Sequence, residues 1–326
     1  MCPMVSIGLP VYNGQKFIGA AIDSILAQTF TDIELIICDN CSTDQTETIC
    51  RAYAAADPRV RYHRNEQNIG ASRNYNLAFS LATGKYFKWA THDDVIQPTY
   101  LERCIAVLES DPSVVLCHSQ TQIIDEFGQP VGAKAVREFI QDANGQPLQV
   151  GLDSSGRKLR STRADERFHG IILDTLWCYE IFGVMRADVL GKTTLQEHFY
   201  GTDKVLLAEM SALGQFAEVP EPLFLNRRHP ANSGNLKTAK EREVWNAPLA
   251  KRHFPFPRLL CLKGYLRVAL RSPMSLSERI GCFAVITHYA TQTRRWRSLL
   301  REFRKSRALK AEHRRQEMDN PIRKLS

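Results

Sequence analysis

Short β-rich runs alternate with helical patterns through the first ninety residues, and this alternation constrains the fold more than any other feature of the chain. The run at 33–38 is almost continuously apolar, which is typical of a strand buried on both faces of a parallel sheet. Strands separated by helices predict an α/β fold with a doubly wound, mostly parallel sheet. The predicted strands are 5–9, ending at Pro10, then 33–38, 60–63 and 86–89, and the helices between them are 17–26, 45–56 and 69–82.

The second half of the chain has weaker periodicity. Gly, Gln, Asp and Arg dominate residues 126–165, which predicts an insertion or a long loop. We predict a sheet domain over residues 1–230 and a basic helical extension over 231–326, because a linker-like composition follows residue 230. Further predictions are helices at 98–110, 164–173 and 202–213, a strand at 114–119, and extension helices at roughly 239–253, 257–271, 275–290 and 294–316.

Charge is divided unevenly along the chain. Residues 1–250 carry 24 Lys/Arg and 30 Asp/Glu, whereas residues 251–326 carry 19 and 5. Such asymmetry predicts a basic arm that meets a polyanion. The longest apolar runs are far shorter than the ~20 residues of a membrane-spanning helix, and the N-terminus has no signal-peptide pattern, so we expect a cytoplasmic protein. Among nine cysteines, Cys38 and Cys41 have metal-ligand spacing, but no second pair exists and we expect structural roles.

Polar side chains follow three of the predicted strands, at the sheet edge where ligands bind in folds of this kind. Taken singly, each of these residues is better explained as a turn former or a helix cap. The adjacent acids Asp93 and Asp94 are harder to explain in that way, because neighbouring like charges need a cation or hydrogen-bond donors. Mg²⁺ or Mn²⁺ together with a substrate diphosphate meets that need. The residues concerned are Pro10, Tyr12 and Asn13, then Asp39, Asn40, Ser42 and Asp44, then His92, Asp93 and Asp94.

Five ordered motifs resemble those of family 2 glycosyltransferases with the GT-A fold. The first covers residues 5–13 (Val-Ser-Ile-Gly-Leu-Pro-Val-Tyr-Asn) and continues through 21–29, and the second covers 34–44 (Glu-Leu-Ile-Ile-Cys-Asp-Asn-Cys-Ser-Thr-Asp). Residues 68–74, 82–86 and 92–98 follow in the family's order and spacing. The resemblance is specific from residue 4 to about 120 and weaker to about 230. No dinucleotide-binding or P-loop glycine motif is present, so the sequence does not support those classes.

The resemblance implies roles in donor binding. Asp39 is similar to the aspartate that reads the uracil ring, and Pro10, Tyr12, Asn13 and Ser42 lie along the nucleotide. Arg73 is expected to face the pyrophosphate or to brace Asp93, although an arginine on a helix is ordinarily a solvated charge.

The resemblance also implies a metal site. Many relatives carry Asp-x-Asp-Asp there, and this chain has Thr91 at the first position. We expect Asp94 to be the direct Mn²⁺ or Mg²⁺ ligand and Asp93 to lie nearer the ribose and phosphate.

The family's catalytic carboxylate begins a helix in the second half of the domain, and residues 200–207 resemble that site. Asp203 is therefore the expected general base, and the alternative is that it only stabilises the helix N-terminus electrostatically. Glu197 is the next candidate. Residues 226–233 resemble a segment that closes over the diphosphate, so Arg228 or His229 is expected to contact phosphate or metal. We expect Trp177 and Tyr179 to be core aromatics that could alternatively stack on an acceptor sugar.

The basic segment 292–315 has ten Lys/Arg, with Trp296, Leu299, Leu300 and Phe303 on one helical face. This pattern favours an anionic membrane surface as its partner over nucleic acid, with a solvated helix as the plain alternative. The sequence as a whole predicts a metal-dependent, inverting transfer from a nucleotide sugar, with uridine favoured, to a saccharide or lipid-linked acceptor in cell-surface polysaccharide synthesis. Two rival hypotheses are a nucleotidylyltransferase acting on sugar phosphates and an inactive, membrane-attached binding module.

Overall fold

The computed structural model describes residues 2–132, 157–236, 238–249 and 257–292. Within them, eight strands form one sheet in the order β3-β2-β1-β4-β7-β6-β8-β5. Four of its seven strand pairs are parallel, so the predicted α/β fold with a mostly parallel sheet is confirmed. The strands are β1 (Val5–Val11), β2 (Ile33–Asp39), β3 (Val60–Arg64), β4 (Tyr86–Trp89), β5 (Val95–Ile96), β6 (Val114–Ile124), β7 (Val184–Arg186) and β8 (Gln215–Arg227).

Ten α-helices belong to the part of the chain that the structure describes. This part of the chain also has a π-helical turn at Gly170–Asp174 and a 3₁₀ turn at Tyr179–Phe182. The predicted helix 294–316, the basic segment 292–315 beyond Gln292, and residues 133–156 of the predicted insertion lie outside the described residues. The helices are α1 (Ile18–Leu26), α2 (Thr46–Ala56), α3 (Ala71–Ser80), α4 (Tyr100–Ser110), α5 (Ala164–His169), α6 (Ala187–Leu190), α7 (Thr202–Leu213), α8 (Ala239–Asn246), α9 (Pro257–Arg271) and α10 (Leu276–Thr291).

Strands β1 to β4 lie where the sequence predicts them, except that β1 does not end at Pro10. The strand continues to Val11 because the backbone of Pro10 faces the side of β4, and β4 ends at Trp89, opposite Gly8. The missing N–H of proline therefore costs no strand hydrogen bond at that position. The extension carries the chain two residues further toward the site edge, in register with Cys38 and Asp39 of β2.

The apolar core lies on both faces of the sheet. One cluster joins β1 and β2 to α1 and α4, and the other joins β4, β6 and β7 to α5, α7, α9 and α10. Tyr265 of α9 and Ile286 of α10 are 1% and 5% exposed within this second cluster. Helices that follow residue 230 thus share a core with the sheet, and the division of the chain at that residue stays a prediction. Among the helices described, none has the length and apolar character that crossing a bilayer requires.

Candidate active site

The loops that follow β1 and β2 are tied together by hydrogen bonds at the carboxyl edge of the sheet. The backbone N–H of Asn13 donates to Ser42 Oγ over 2.9 Å, and the N–H of Thr43 donates to Asn13 Oδ1 over 2.9 Å. Asn13 adopts a left-handed conformation, with φ of 54°, in which asparagine is one of the few side chains readily accommodated. The loop leaves the ring of Tyr12 45% exposed, so it presents an open aromatic surface at this edge.

Asp39 ends β2 with its side chain buried among hydrogen-bond donors. Its Oδ1 accepts from the N–H of Ser42 over 2.8 Å, and its Oδ2 accepts from Tyr62 Oη over 2.6 Å. Each carboxylate oxygen can accept more than one hydrogen bond, so the two contacts leave acceptor capacity for a ligand. The side chain is 0% exposed, and a nucleobase has to displace neighbouring atoms to reach it.

Asp93 and His229 form a buried pair at the same edge. His229 Nε2 lies 2.9 Å from Asp93 Oδ2, and Asn232 Nδ2 donates to that oxygen over 3.0 Å. Burial acts to raise the pKa of Asp93, but the contact with His229 and the nearby His92 outweigh it, and the pKa lies below its ordinary value. Asp93 is therefore held as a carboxylate. The packing of Phe17 against the His229 ring, with centroids 4.7 Å apart, fixes the imidazole.

Asp94 is occupied by the protein itself. Its Oδ1 accepts from the N–H of Arg227 over 2.8 Å and from Asn226 Nδ2 over 3.0 Å, and its Oδ2 accepts from Thr91 Oγ1 over 2.6 Å. Burial, and secondarily the charge of Asp93, raise the pKa of Asp94 to about 7. These contacts join the loop after β4 to the end of β8. His229 and Asn232 both contact Oδ2 of Asp93, whereas hydrogen bonds occupy both carboxylate oxygens of Asp94.

The donor set suits a divalent cation only if the substrate supplies further ligands. Among the described residues, no group of three or more His, Cys, Asp or Glu side chains is arranged to hold a metal. Asp93 and His229 supply a carboxylate and an imidazole, and the buried Oδ1 of Asn226 nearby has no hydrogen-bond partner. Cys38 offers no thiolate, because burial raises its pKa to about 12. One or two protein ligands completed by diphosphate oxygens are an arrangement that Mg²⁺ commonly takes.

Arg228 lies in a ladder of aromatic rings beside this pair. Its guanidinium stands over the ring of Trp177 at 4.9 Å, and its Nη2 donates to Tyr179 Oη over 2.7 Å. Trp177 and Tyr179 stack with an interplanar angle of 17°. Both rings are partly buried, which is less than the core position predicted for them. Nε of Arg228 and Nε1 of Trp177 are buried without a partner, so the ladder has unused donors.

Asp203 lies in the first turn of α7, which follows Gly201 in a left-handed conformation with φ of 91°. Burial raises the pKa of Asp203 above its ordinary value, although the side chain keeps some exposure. Burial raises the pKa of Tyr75 in α3, and the charges of Asp93, Asp94 and Asp203 raise it further. The three carboxylates are therefore all near enough to Tyr75 for their charges to act on it.

Two candidate residues make other contacts in the structure. His229 and Asn232 contact Asp93, while the side chain of Arg73 is exposed near His198. Glu197, the next candidate for the base, accepts hydrogen bonds from Arg267 at both of its carboxylate oxygens.

Sequence reasoning assigned no individual role to four polar residues of the site: Tyr62, Tyr75, Asn226 and Asn232. Asn226 and Asn232 lie within the segment 226–233 that resembles the diphosphate-closing segment, but their contacts with Asp94 and Asp93 were not predicted.

The fold and this acidic edge define a glycosyltransferase of the GT-A class. Residues 6–168 match the profile of the family described as Glycosyl transferase family 2, which is half of the chain, and the chain belongs to that family. An uncharacterized glycosyltransferase of Haemophilus influenzae is 25% identical over 250 residues, covering 74% of this chain and 71% of that protein. The chondroitin synthase of Escherichia coli is 36% identical over 126 residues, which span 39% of this chain and only 18% of the synthase.

A solved structure supports the fold independently. The crystal structure of S. aureus TarS 1-349 in complex with UDP superposes with a TM-score of 0.61 at 16% identity, over 92% of this chain and 75% of that one. At this identity the likeness concerns the fold alone.

Proposed function

We propose that this glycosyltransferase moves a sugar from a uridine diphosphate sugar to a hydroxyl of a saccharide or lipid-linked acceptor, with inversion at the anomeric carbon. The observation that carries the proposal is the buried Asp93–His229 pair at the carboxyl edge of the sheet, with the partly exposed carboxylate of Asp203 near enough for its charge to act on Tyr75, as that of Asp93 does. A pair that can hold a cation against the diphosphate and a separate carboxylate that can accept a proton are the two groups that such a transfer requires.

Uridine is favoured by the groups at the end of β1 and β2. The carboxylate of Asp39 accepts hydrogen bonds, which matches the ring N–H of uracil, and the exposed ring of Tyr12 offers a surface for the base. The UDP bound by the similar TarS protein is consistent with this choice. Pro10, Asn13 and Ser42 form the loop floor beneath the nucleoside, with Arg73 and Arg228 as the candidate pyrophosphate contacts.

We place a Mn²⁺ or Mg²⁺ ion against Asp93 and His229, with Asp94 supporting them rather than binding directly. When bound, the cation offsets the negative charge that develops on the departing diphosphate. The chain's own contribution is to hold Asp93 ionised and to fix the His229 ring by its contact with Phe17.

Asp203 is proposed as the base that removes the acceptor hydroxyl proton while the bond between sugar and phosphate breaks. Its raised pKa suits this role, because a carboxylate whose pKa lies closer to neutrality is a stronger base. The acceptor then attacks the face of the sugar opposite the diphosphate, which inverts the anomeric configuration.

The test is a panel of nucleotide sugars incubated with the full chain, with Mn²⁺ or with a chelator. We expect turnover or slow hydrolysis for a uridine diphosphate sugar only with the cation, and calorimetry should show UDP binding at least ten times more tightly with it. Equal UDP affinity in the chelator contradicts the metal site. Turnover of a sugar 1-phosphate with a nucleoside triphosphate supports the rival nucleotidylyltransferase, and binding without any turnover supports the inactive module.

We further propose that the chain works at an anionic membrane surface, where a lipid-linked acceptor for polysaccharide synthesis is found. Leu270, Leu276 and Ile280 expose 61%, 74% and 62% of their surface around the turn between α9 and α10. The excess of Lys/Arg in residues 251–326 supplies complementary charge. Co-sedimentation should show binding to vesicles with anionic lipids and not to neutral vesicles. The double variant Leu276→Ser/Ile280→Ser should bind anionic vesicles less than the wild type, and the matched control Leu249→Ser should bind as the wild type does. Equal binding of the wild type and both variants contradicts the proposed surface.

A further inference from the structure

We propose that Arg267 of α9 is a positioning residue for Asp203, so that α9, outside the segment that matches the family profile, belongs to the catalytic unit. The inference rests on the proposed role of Asp203 as the base. It assigns to the basic helical extension a part in the chemical step, in addition to any part in membrane contact.

Arg267 joins α9 to the loop before α7 and to the second half of α7. Its Nη2 and Nη1 donate to Glu197 Oε2 and Oε1 over 2.7 and 3.1 Å, and Glu197 lies in the loop before α7. Its Nη2 and Nε also reach Glu209 Oε1, within α7, over 3.0 and 3.2 Å. The Arg267 side chain is only 19% exposed. A planar guanidinium with several N–H donors restricts the positions of its partners more than the ammonium group of a lysine does. The loop and the helix that flank Asp203 are thus held by one side chain.

The loop held by Glu197 leads directly to the base. The N–H of Glu197 donates to Thr202 Oγ1 over 2.7 Å, and Thr202 is the residue before Asp203. The backbone carbonyl of Glu197 accepts from Ser72 Oγ of α3 over 2.8 Å. Movement of Glu197 therefore changes the position of the first turn of α7 relative to α3, which carries Tyr75.

Close backbone packing between α9 and α7 makes this link stiff. A Cβ atom at Gly264 would lie 2.5 Å from Cγ1 of Val205, two residues after Asp203, so glycine is what allows the two helices to approach. Cys261 Sγ lies 3.8 Å from the carbonyl oxygen of Gly201 at the start of α7. One face of α9 therefore contacts α7 and the loop before it over about two helical turns, at residues 261, 264 and 267.

A small displacement of a base relative to its proton donor lowers the rate far more than it lowers affinity. Loss of Arg267 releases the carboxylate of Glu197, whereas Glu209 keeps its hydrogen bonds from Thr194. We expect Arg267→Gln to lower kcat about tenfold or more, with the KM for the donor and the calorimetric affinity for UDP close to wild type.

The experiment compares four variants of the full chain in transfer or donor hydrolysis, UDP calorimetry and thermal unfolding. They are Arg267→Gln, Arg267→Lys, Glu197→Gln and the matched control Arg271→Gln, whose side chain is exposed on the same helix. Glu197→Gln leaves Arg267 paired with Glu209, so it tests the link even if Arg267→Gln unfolds. We expect reduced kcat in Arg267→Gln and Glu197→Gln, partial recovery in Arg267→Lys, and normal kcat in Arg271→Gln.

The double variant Arg267→Gln/Glu197→Gln should lose no more than Arg267→Gln alone, because both changes break one link. Normal kcat in the folded single variants overturns the inference, as does a loss of UDP affinity that accounts for the change in rate. Normal transfer by Asp203→Asn would instead overturn the proposed base, and the two failures are therefore distinguishable.

Discussion

Asp203 begins α7, on a different element from the loops after β1 and β2 that we propose to hold the nucleoside, and burial raises its pKa. We expect Asp203→Asn to reduce transfer by roughly a hundredfold or more, the scale of lost general-base catalysis, because the amide keeps the shape but takes no proton. UDP and Mn²⁺ affinity should stay near wild type. Transfer assays combined with calorimetry check this, and a loss of UDP binding would move Asp203 into the donor site.

Asp39 is expected to act in nucleobase binding as well as in holding the loop after β2. Asp39→Ala should weaken UDP binding by about tenfold or more, since hydrogen bonds to a charged acceptor contribute about 1.5–3 kcal/mol. Calorimetry measures the affinity, with thermal unfolding recorded alongside. Tyr62→Phe is the matched control, because it removes one donor to Asp39 and leaves the carboxylate in place. If Asp39→Ala unfolds early but binds UDP normally once folded, the residue is structural.

At this scale the sequence placed Asp93 and His229 in one site but did not show how each acid is used. Asp39 and Asp93 follow predicted strands and Asp203 begins a predicted helix, whereas His229 follows β8, which the residue pattern does not locate. Asp94 differs from Asp93 because it accepts hydrogen bonds from Asn226 and Arg227, which are more than 130 residues away in the chain. No local pattern encodes such a contact. Pairing of Glu197 with Arg267 was invisible for the same reason.

Glu278 joins two helices at their N-termini. It closes a capping box with Ser275 at the start of α10, and its Oε1 accepts from the N–H of Ala164 at the start of α5 over 2.8 Å. Hydrogen bonds from Ser275 and Ala164 lower the pKa of Glu278 from 4.5 to about 2. Ionised Glu278 therefore adds to the free energy of unfolding above pH 4.5, and this contribution is lost as the pH falls toward 2. Glu278→Ala should lower the unfolding temperature at pH 7, with a smaller difference from wild type at pH 3. A difference independent of pH would contradict the assignment.

Among the elements, the regular βα units of the first ninety residues were predictable, whereas strands β5, β7 and β8 were not. Strand β8 was missed although it has 13 residues, because Pro220 and Pro222 interrupt its pattern. The register with β6 jumps from Val219 to Phe224, so both prolines lie in an irregular stretch that makes no ladder bonds with β6. Strands β5 and β7 have two and three residues, too few to show a period.

Lys88 gives the whole molecule a distinctive pH dependence. Its side chain is 1% exposed, Nζ donates to the carbonyl oxygens of Phe182 and Trp89, and burial lowers its pKa from 10.5 to about 8. Between pH 8 and pH 10.5 Lys88 is protonated in the unfolded chain and neutral in the folded chain, so its contribution to the free energy of unfolding rises with pH. Over this range the free energy of unfolding should rise by about 3 kcal/mol relative to that of a Lys88→Met variant.

Chemical unfolding of both proteins from pH 7 to 10.5 measures this effect as a difference. The comparison is needed because buried thiols such as Cys50, whose pKa burial raises to about 12, act in the opposite direction in both proteins. A constant difference between wild type and Lys88→Met over this range would show that Lys88 is equally charged in the folded and unfolded states.

The strand order has a consequence for how the chain folds as it is synthesised. Strand β7 lies between β4 and β6, and β8 lies between β6 and β5, yet both inserted strands are made last. When only residues up to 168 have emerged from the ribosome, strands β1, β2, β3 and β4 can pair with one another. The two neighbours of β6, which are β7 and β8, have not yet emerged. The edges of β6 stay open until residues 184–227 leave the ribosome. Closure of the sheet is therefore a late, non-local step, and the interval before it is when the newly made chain is most exposed to aggregation.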